Sequence, residues 1–554
     1  MGIPDVTLSI QDGALGIAPP SSAKTQLKIG VVAKGLVNVI QSASDLTTLT
    51  GLLGKAGPLV EAAALALQGG GPVYVMGATP STYGTAGTVT KTASNSTGTL
   101  TVTARPSFQV IARVAATGTL GVGTLQFSVD GGSTYGAAVL TAATVMVPQA
   151  TLLTIACAAG NYVAGDTWTI ATDGTVTFSG TSTGVVTIST CSPVDTYSLM
   201  IDVIDAGALG AATFIYSLDG GNTWSPKILV PASGKYVIPD TGLLLTFASG
   251  PLGNADAWSC PVTAASYSTT DLTTAMTAAL ADARTWGFVH VVGAPSSVAN
   301  AATLATTLQS LLVTAASQYR FARGIIEVPS DTDANTIAAF AAVATDRVNW
   351  AAGYATITSP LNGRQFSRSS AWAAAARASA VPVSEDLGRV ASGPLTSVGQ
   401  LGRDEQATPG LDAQRFTTLR TIIGRQGKYL TTGRLGAAFG SDFSIWQNGR
   451  VMDVACDTTR QRLLQFLNSS VRVNADGTIL EKDARVIEAY CDSGLRAALT
   501  QPGDASDVSV TVSRTANVLS TQTLPVSVRV LPLGYAKWIT VDIGFSNPAL
   551  TVTK

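Results

Sequence analysis

One histidine and five scattered cysteines bound the chemistry open to this 554-residue chain. The histidine is His290, inside Trp286-Gly-Phe-Val-His-Val-Val-Gly293. A Ser/His/Asp triad or a Cys/His dyad would have to use it. The apolar run around it reads as a buried strand, so His290 is assigned to the core. Cys157, Cys191, Cys260, Cys456 and Cys491 form no C-x-x-C pair, so the ligand spacing of zinc knuckles and the thioredoxin motif are both missing. They read as buried thiols. No G-x-x-x-x-G-K-[ST] loop occurs, which removes a Walker-type nucleotide site. Any mechanical work must draw on energy other than the chain's own ATP hydrolysis. Gly69-Gly-Gly71 follows an apolar helical stretch, so it reads as a helix C-cap rather than a phosphate cradle at a helix start. The sequence therefore predicts no catalytic residue, no cofactor and no metal.

A repeat supplies the sharpest local signal. Phe127-Ser-Val-Asp-Gly-Gly-Ser-Thr-Tyr135 recurs as Tyr216-Ser-Leu-Asp-Gly-Gly-Asn-Thr-Trp224, a shift of 89 residues. Gly118, Leu120 and Gly121 recur as Gly207, Leu209 and Gly210, and Gly165-Asp-Thr-Trp168 is similar to Asn254-Ala-Asp-Ala-Trp258. Each copy predicts a hairpin turn. Asp130 or Asp219 accepts backbone N–H bonds, Gly131-Gly132 or Gly220-Gly221 take positive φ, and the aromatic packs beneath. These turns resemble the Asp-box of sialidase-like propellers, which is itself structural. A glycosidase needs a carboxylate pair or a Tyr/Glu equivalent. Residues 81–265 contain no Glu and only two arginines. Hydrolysis is thus disfavoured, and carbohydrate binding by an adhesin-like surface protein stays as the alternative function.

The elements around the repeat fall into three blocks. Residues 1–80 read as α/β: a strand at Lys28–Ala33, a short helix capped by Asp45, a helix from Pro58 to Leu67, and a strand at Pro72–Met76. Residues 81–265 are rich in Thr, Gly, Ser and Val and alternate as strands do. They carry five cations against nine aspartates, a net charge of about −4. Two β-sandwich modules, 81–180 and 181–265, are expected. From 266 helices and strands alternate again, which predicts a layered α/β sheet. Helices are expected at 271–284, 297–318, 333–345, 457–468 and 481–499, with strands at 286–293, 323–328 and 348–354. Residues 364–472 hold 13 arginines and one lysine against 8 acids. Arginine favours fixed, bidentate contacts, and protein–protein contacts are expected here rather than nucleic-acid binding. The last strands, 508–512, 526–530 and 536–543, alternate strictly. They either complete their own sheet or add to a neighbour's.

Composition points to assembly. Charged residues are 12% of the chain, about half the usual ~25%, and the net charge is −1. No global field would draw nucleic acid or anionic lipid. So little charge suits a chain whose surface is covered by neighbours. Met1-Gly-Ile-Pro-Asp5 has neither the basic nor the apolar region of a signal peptide, and Val6 stands where a myristoylation signal needs Ser or Thr. No uninterrupted apolar run of spanning length is seen, so a cytosolic, soluble chain is expected, with no membrane insertion.

The segments Gly30-Val-Val-Ala-Lys-Gly35, Ile40-Gln-Ser-Ala-Ser-Asp-Leu46, Gly57-Pro-Leu-Val-Glu-Ala-Ala-Ala64 and Gly69-Gly-Gly-Pro-Val-Tyr-Val75 together resemble contractile phage tail sheath proteins. Phe416-Thr-Thr-Leu-Arg-Thr-Ile-Ile-Gly-Arg425 is similar to that family's "LR…PGRG" stretch, with Ile423 in place of Pro and Gln426 breaking the Gly-Arg-Gly. Gly534-Tyr-Ala-Lys-Trp-Ile-Thr-Val-Asp-Ile543 resembles its last strand, with Lys537-Trp538 in place of an acid and Phe. The resemblance covers about two thirds of the chain.

It implies an α/β (α+β) sheath core built from N- and C-terminal segments, with the two all-β sandwich-like modules inserted and facing outward. The division would be an arm at 1–20, core at 21–80, modules at 81–180 and 181–265, core at 266–524, and a strand arm at 525–554. It further implies hexameric rings or a helical array of this chain around a tail tube protein, with baseplate and tail terminator proteins as other partners. The location would be a virion tail assembled in the bacterial host cytoplasm. Contraction from a metastable extended state would drive the tube through a cell envelope. The arms implied to link subunits carry Val6, Leu8, Ile10, Val526, Val528, Val530, Trp538, Ile539, Val541 and Ile543. The implied tube-facing helix carries Lys482, Arg485 and Arg496. No direct nucleic-acid contact is expected.

Overall fold

The computed structural model describes residues 22–248, 250–293 and 295–545. Val6, Leu8, Ile10 and Pro19-Pro20 lie outside them. The chain forms two compact units, Met1–Asp457 and Thr458–Lys554.

The first unit is organised by a seven-stranded sheet in the order Gln41–Ala43, Val73–Gly77, Gln26–Gly30, Phe288–Val291, Arg323–Glu327, Val348–Ala351, Phe416–Thr417. All neighbours run parallel except the first pair. Parallel strands must be joined by crossovers, so helices cover both faces. Consecutive residues of a strand point to opposite faces. Leu27, Ile29, Val289, Val291 and Ile326 meet helices Thr269–Ala281, Val298–Ser317 and Asp333–Phe340. Val73, Val75, Phe288 and Ile325 face the side covered by helices Leu46–Leu53, Pro58–Leu67 and Ser370–Ala380. Asp45 caps its helix by accepting the Thr48 N–H at 2.8 Å, and Pro58 occupies the helix start where no N–H is needed. Helix Val298–Ser317 is long and apolar enough to cross a bilayer by length and composition. It instead buries Val298, Ala301, Leu304, Ala305, Leu308 and Leu312 in the core.

His290 is fully buried in the sheet. Its Nδ1 lies 2.9 Å from Lys28 Nζ, and its Nε2 lies 3.7 Å from Glu327 Oε1. Burial first, then the Lys28 charge, pushes its pKa down to about 4.

Residues 90–262 build two β-sandwiches whose two main sheets correspond strand for strand. In the first, a sheet ordered 176–179, 167–170, 110–116, 124–128, 139–140 packs on a sheet ordered 145–146, 153–157, 186–191. In the second, the orders are 90–93, 257–262, 197–205, 213–217, 228–229 and 235–238, 243–247, 100–104. The expected division at 180/181 is therefore revised. The first sandwich spans 110–191, and the second takes its last two strands from 90–104, upstream of the first. The first sandwich leaves and returns at one place: Arg105 N donates to Gly242 O at 2.8 Å, and Ser192 O lies beside the same glycine. The whole insert also starts and ends together, with Thr82 and Ser266 bridged and Ser81 N donating to Ser266 O at 3.0 Å.

Two further elements depart from expectation. The helix expected at 457–468 begins eleven residues earlier, as Trp446–Leu463. Residues 536–543 form no strand within this chain.

Candidate assembly surface

In the second unit, helix Glu481–Leu495 packs on the antiparallel pair Asp507–Val512 and Val526–Leu531. Val526, Val528 and Val530 face Val512, Val510 and Val508 across this pair. These three valines thus complete the chain's own hairpin and are half-buried. The core beneath is small: Ile479, Ala484, Ile487 and Val512 are buried, with Leu463, Phe466, Val518 and Val526 packed around them. The sheet has two strands, so each leaves one row of backbone donors and acceptors without a strand partner among the described residues.

Beyond Pro532 the chain continues without secondary structure through 545. Trp538 is 85% exposed, Ile539 80%, Val541 67% and Ile543 93%. Phe545 is fully exposed as well. Ten of the 24 large apolar side chains exposed among the described residues belong to this second unit, a small fraction of the chain. Leu467, Leu519 and Leu531 are among them and were not singled out in the sequence. Their only local signal is an apolar residue at a turn or a strand end.

The cations of helix Glu481–Leu495 are largely held by the unit's own acids. Arg485 Nε lies 2.6 Å from Glu481, and Arg496 lies 2.7 Å from Asp492 and 2.8 Å from Asp507. Arg514 binds both Glu481 and Glu488. Hydrogen bonds from Arg514 and then Arg485 hold Glu481 down to about 2. Lys482 is exposed and forms no ion pair among the described residues.

The arginine-rich stretch is spent in the same way. Arg368 is clasped by Asp195 and Glu61, Arg403 by Asp333 and Glu405, and Arg434 by Asp412. Arg377 binds the carbonyls of Ser392, Gly393 and Pro394, and Arg415 those of Val343 and Gly436. These planar forks fix loops of the chain itself. The expectation of protein–protein contacts for the stretch as a whole is corrected for these residues.

Both repeated turns have the same internal bonding. Asp130 accepts from Thr134 N at 2.9 Å, Thr134 Oγ1 at 2.6 Å and Ser128 Oγ at 2.7 Å. Asp219 accepts from Thr223 N at 2.8 Å, Thr223 Oγ1 at 2.6 Å and Ser217 Oγ at 2.8 Å. Gly131, Gly132, Gly220 and Gly221 all have positive φ. Asp219 also accepts the Gln365 N–H at 3.1 Å, tying the second sandwich to the core. The aromatics pack against the turns: Trp224, 37% exposed, donates its Nε1–H to Gly221 O at 3.1 Å, and in the other copy the Arg113 guanidinium covers the Tyr135 ring at 3.8 Å. The acids of both turns are engaged locally, so neither turn presents a free carboxylate pair.

A cavity of about 620 Å³ lies at the carboxyl ends of the central strands, where open α/β sheets bind ligands. Its charged groups are bonded within the chain. Arg368 holds Asp195, and Glu327 Oε1 accepts from Gly293 N at 3.0 Å and Trp372 Nε1 at 2.8 Å.

Two family descriptions match the chain: the N-terminal domain of DUF2586 over residues 3–434 and the C-terminal domain of DUF2586 over residues 442–550. The chain belongs to the DUF2586 family. No curated protein matches it. Among solved structures, this DUF2586 chain is similar to a sheath tail protein from Listeria innocua, at 12% identity over 92% of each chain with a TM-score of 0.44. It is similar to a sheath tail protein from Desulfitobacterium hafniense at 10% identity, over 96% of this chain and 100% of that one, with a TM-score of 0.41. A chain of the contracted sheath complex of an extracellular contractile injection system, PVC, is similar over 51% of this chain and 76% of that one. Its identity is 12% and its TM-score 0.38.

Proposed function

We propose that this chain is the self-assembling structural subunit of a contractile tail sheath. The observation that carries the reading is the C-terminal stretch. Ile539, Val541 and Ile543 alternate as a strand does and, with Trp538, are 67–93% exposed, next to a two-stranded sheet with open edges. A segment of this kind is stabilised by adding to a neighbour's sheet, where main-chain bonds give strength and apolar side chains find cover. The sequence motifs shared with tail sheath proteins support the same reading, as does the low charge.

In this reading the 1–20 segment and the residues beyond Pro532 link subunits into rings or a helix around a tail tube, while Val526, Val528 and Val530 stay in the chain's own hairpin. Helix Glu481–Leu495 faces the tube, with Lys482 as its freest cation. Baseplate and terminator proteins close the ends. Contraction repacks interfaces between rigid subunits, and the energy is stored at assembly. The sandwiches lie outside this machinery. Because Thr82 and Ser266 are adjacent, a short linker can replace 83–265. Negative-stain electron microscopy of that deletion is expected to show the polymers formed by the whole chain. Loss of polymers together with loss of binding on a glycan array would overturn the sheath reading in favour of an adhesin.

A further inference from the structure

The second sandwich is closed by strands that come from the wrong end of the repeat. Residues 87–104 and 174–191 are copies of one open hairpin, a strand–loop–strand arch whose two strands pair with different sheets rather than with each other. Gly87-Thr-Val-Thr90 matches Gly174-Thr-Val-Thr177, Ser96-Thr-Gly98 matches Ser182-Thr-Gly184, and Leu100 and Val102 stand where Val186 and Ile188 do. Each hairpin clips both sheets of its sandwich. Val176–Ser179 pairs with Thr167–Ile170, and Val186–Cys191 with Leu153–Cys157. Thr90–Ala93 pairs with Ala257–Val262, and Leu100–Ala104 with Leu243–Phe247. All four hairpin strands are outermost in their sheets.

The chemistry of the seat is also repeated. Asp166 accepts from Thr181 N at 2.8 Å and from Ser182 N and Oγ at 2.6 Å. Asp256 accepts from Asn95 N at 2.6 Å, Ser96 N at 3.2 Å and Ser96 Oγ. Trp168 stacks on Phe178 at 4.9 Å, and Trp258 lies under Lys91 Nζ at 5.1 Å. In repeat order, a hairpin should follow strand Ala257–Val262. The chain instead enters the core helix Thr269–Ala281, and the vacant seat is filled from residues 87–104.

We propose that this seat, bounded by Leu243–Phe247, Ala257–Val262 and the buried Asp256, is a binding site for a strand–loop–strand arch of this kind. It is occupied in cis by 87–104 and accepts the equivalent segment 174–191 as well, because both carry the same recognition elements. The recognition elements are two edge strands offering main-chain bonds, apolar slots for Leu100 and Val102, and a carboxylate for two successive N–H groups and a serine hydroxyl. The site is independent of the C-terminal arm.

The test compares three full-length chains: the wild type, one with 87–104 replaced by glycine–serine of equal length, and one carrying residues 174–191 in that place. Thermal unfolding of the exchanged chain is expected to follow the wild type, and the glycine–serine chain is expected to melt well below both. A labelled peptide of residues 87–104 should bind the glycine–serine chain one to one and leave the wild type alone. Unlabelled peptide 174–191 should compete. Asp256→Asn in that chain should weaken binding by about tenfold or more, through loss of charge-assisted bonds. A glycine–serine chain as stable as the wild type, or an exchanged chain no more stable than the glycine–serine one, overturns the proposal. So does a folded glycine–serine chain that does not bind the peptide. If the glycine–serine chain fails to fold, a folded exchanged chain supports the proposal and an unfolded one overturns it.

Discussion

Lys28 and His290 form a fully buried titratable pair in the central sheet. Burial pushes Lys28 down to about 7, with Glu327 opposing, and His290 down to about 4. Folding therefore prefers the neutral imidazole. Between about pH 4 and 6.5 the unfolded chain binds a proton that the folded one refuses, so this residue makes stability rise with pH across that window. Burial of Glu61 raises its pKa and gives a slope of the opposite sign. The wild type can then look flat, and the comparison with His290→Gln isolates the imidazole. Between about pH 4.5 and pH 6.5 the wild type should gain about 2 kcal/mol relative to the variant, read from urea midpoints. An unchanged difference would show that the imidazole keeps its ordinary pKa. The strand around His290 was legible from its apolar run. Its partner was not, since Lys28 is 262 residues away and parallel register leaves no short-range trace. The Asp130 and Asp219 turns were legible because nearly every bond they make lies within four residues. The Gln365 contact of Asp219, 146 residues away, was not.

At the scale of elements, helix Trp446–Leu463 contains Gly449, which broke the helical pattern in the sequence and hid the true start of the helix. The fold gives the reason. A Cβ at Gly449 would fall 2.2 Å from the Arg323 guanidinium. Arg323 is 2% exposed and lies 2.8 Å from Asp453. Helix propensity alone would favour Gly449→Ala by about 1 kcal/mol. Overpacking costs about 1–3 kcal/mol, and disturbing a buried ion pair adds to it. Gly449→Ala is expected to lower the melting temperature, with a net loss of about 2 kcal/mol. A variant more stable than the wild type would show that Arg323 moves freely. The alternation of helix and strand, and hence the layered sheet, was readable from periodicity. The closing arch of the second sandwich was not, because it precedes the first sandwich in the chain and so falls outside the 89-residue shift of the repeat. The signal was the recurrence of Gly-Thr-Val-Thr at 87 and 174.

At the scale of the molecule, the sequence offered a strand-like end and a low charge, and the structure shows where each leads. Arg368, Arg377, Arg403, Arg415 and Arg434 fix the first unit's own loops. The exposed apolar side chains concentrate in the second unit and in its last described residues. A chain that leaves Trp538, Ile539, Val541, Ile543 and Phe545 in water forgoes about 1.5–3 kcal/mol for each side chain it could bury, which a neighbouring copy can recover. The direct test is electron microscopy with sedimentation velocity on the full chain and on a chain ending at Pro532. The full chain should form hollow striated tubes or stacked rings, and the shortened chain should remain a folded monomer. Tubes of equal stability from the shortened chain would contradict assembly through the C-terminal arm.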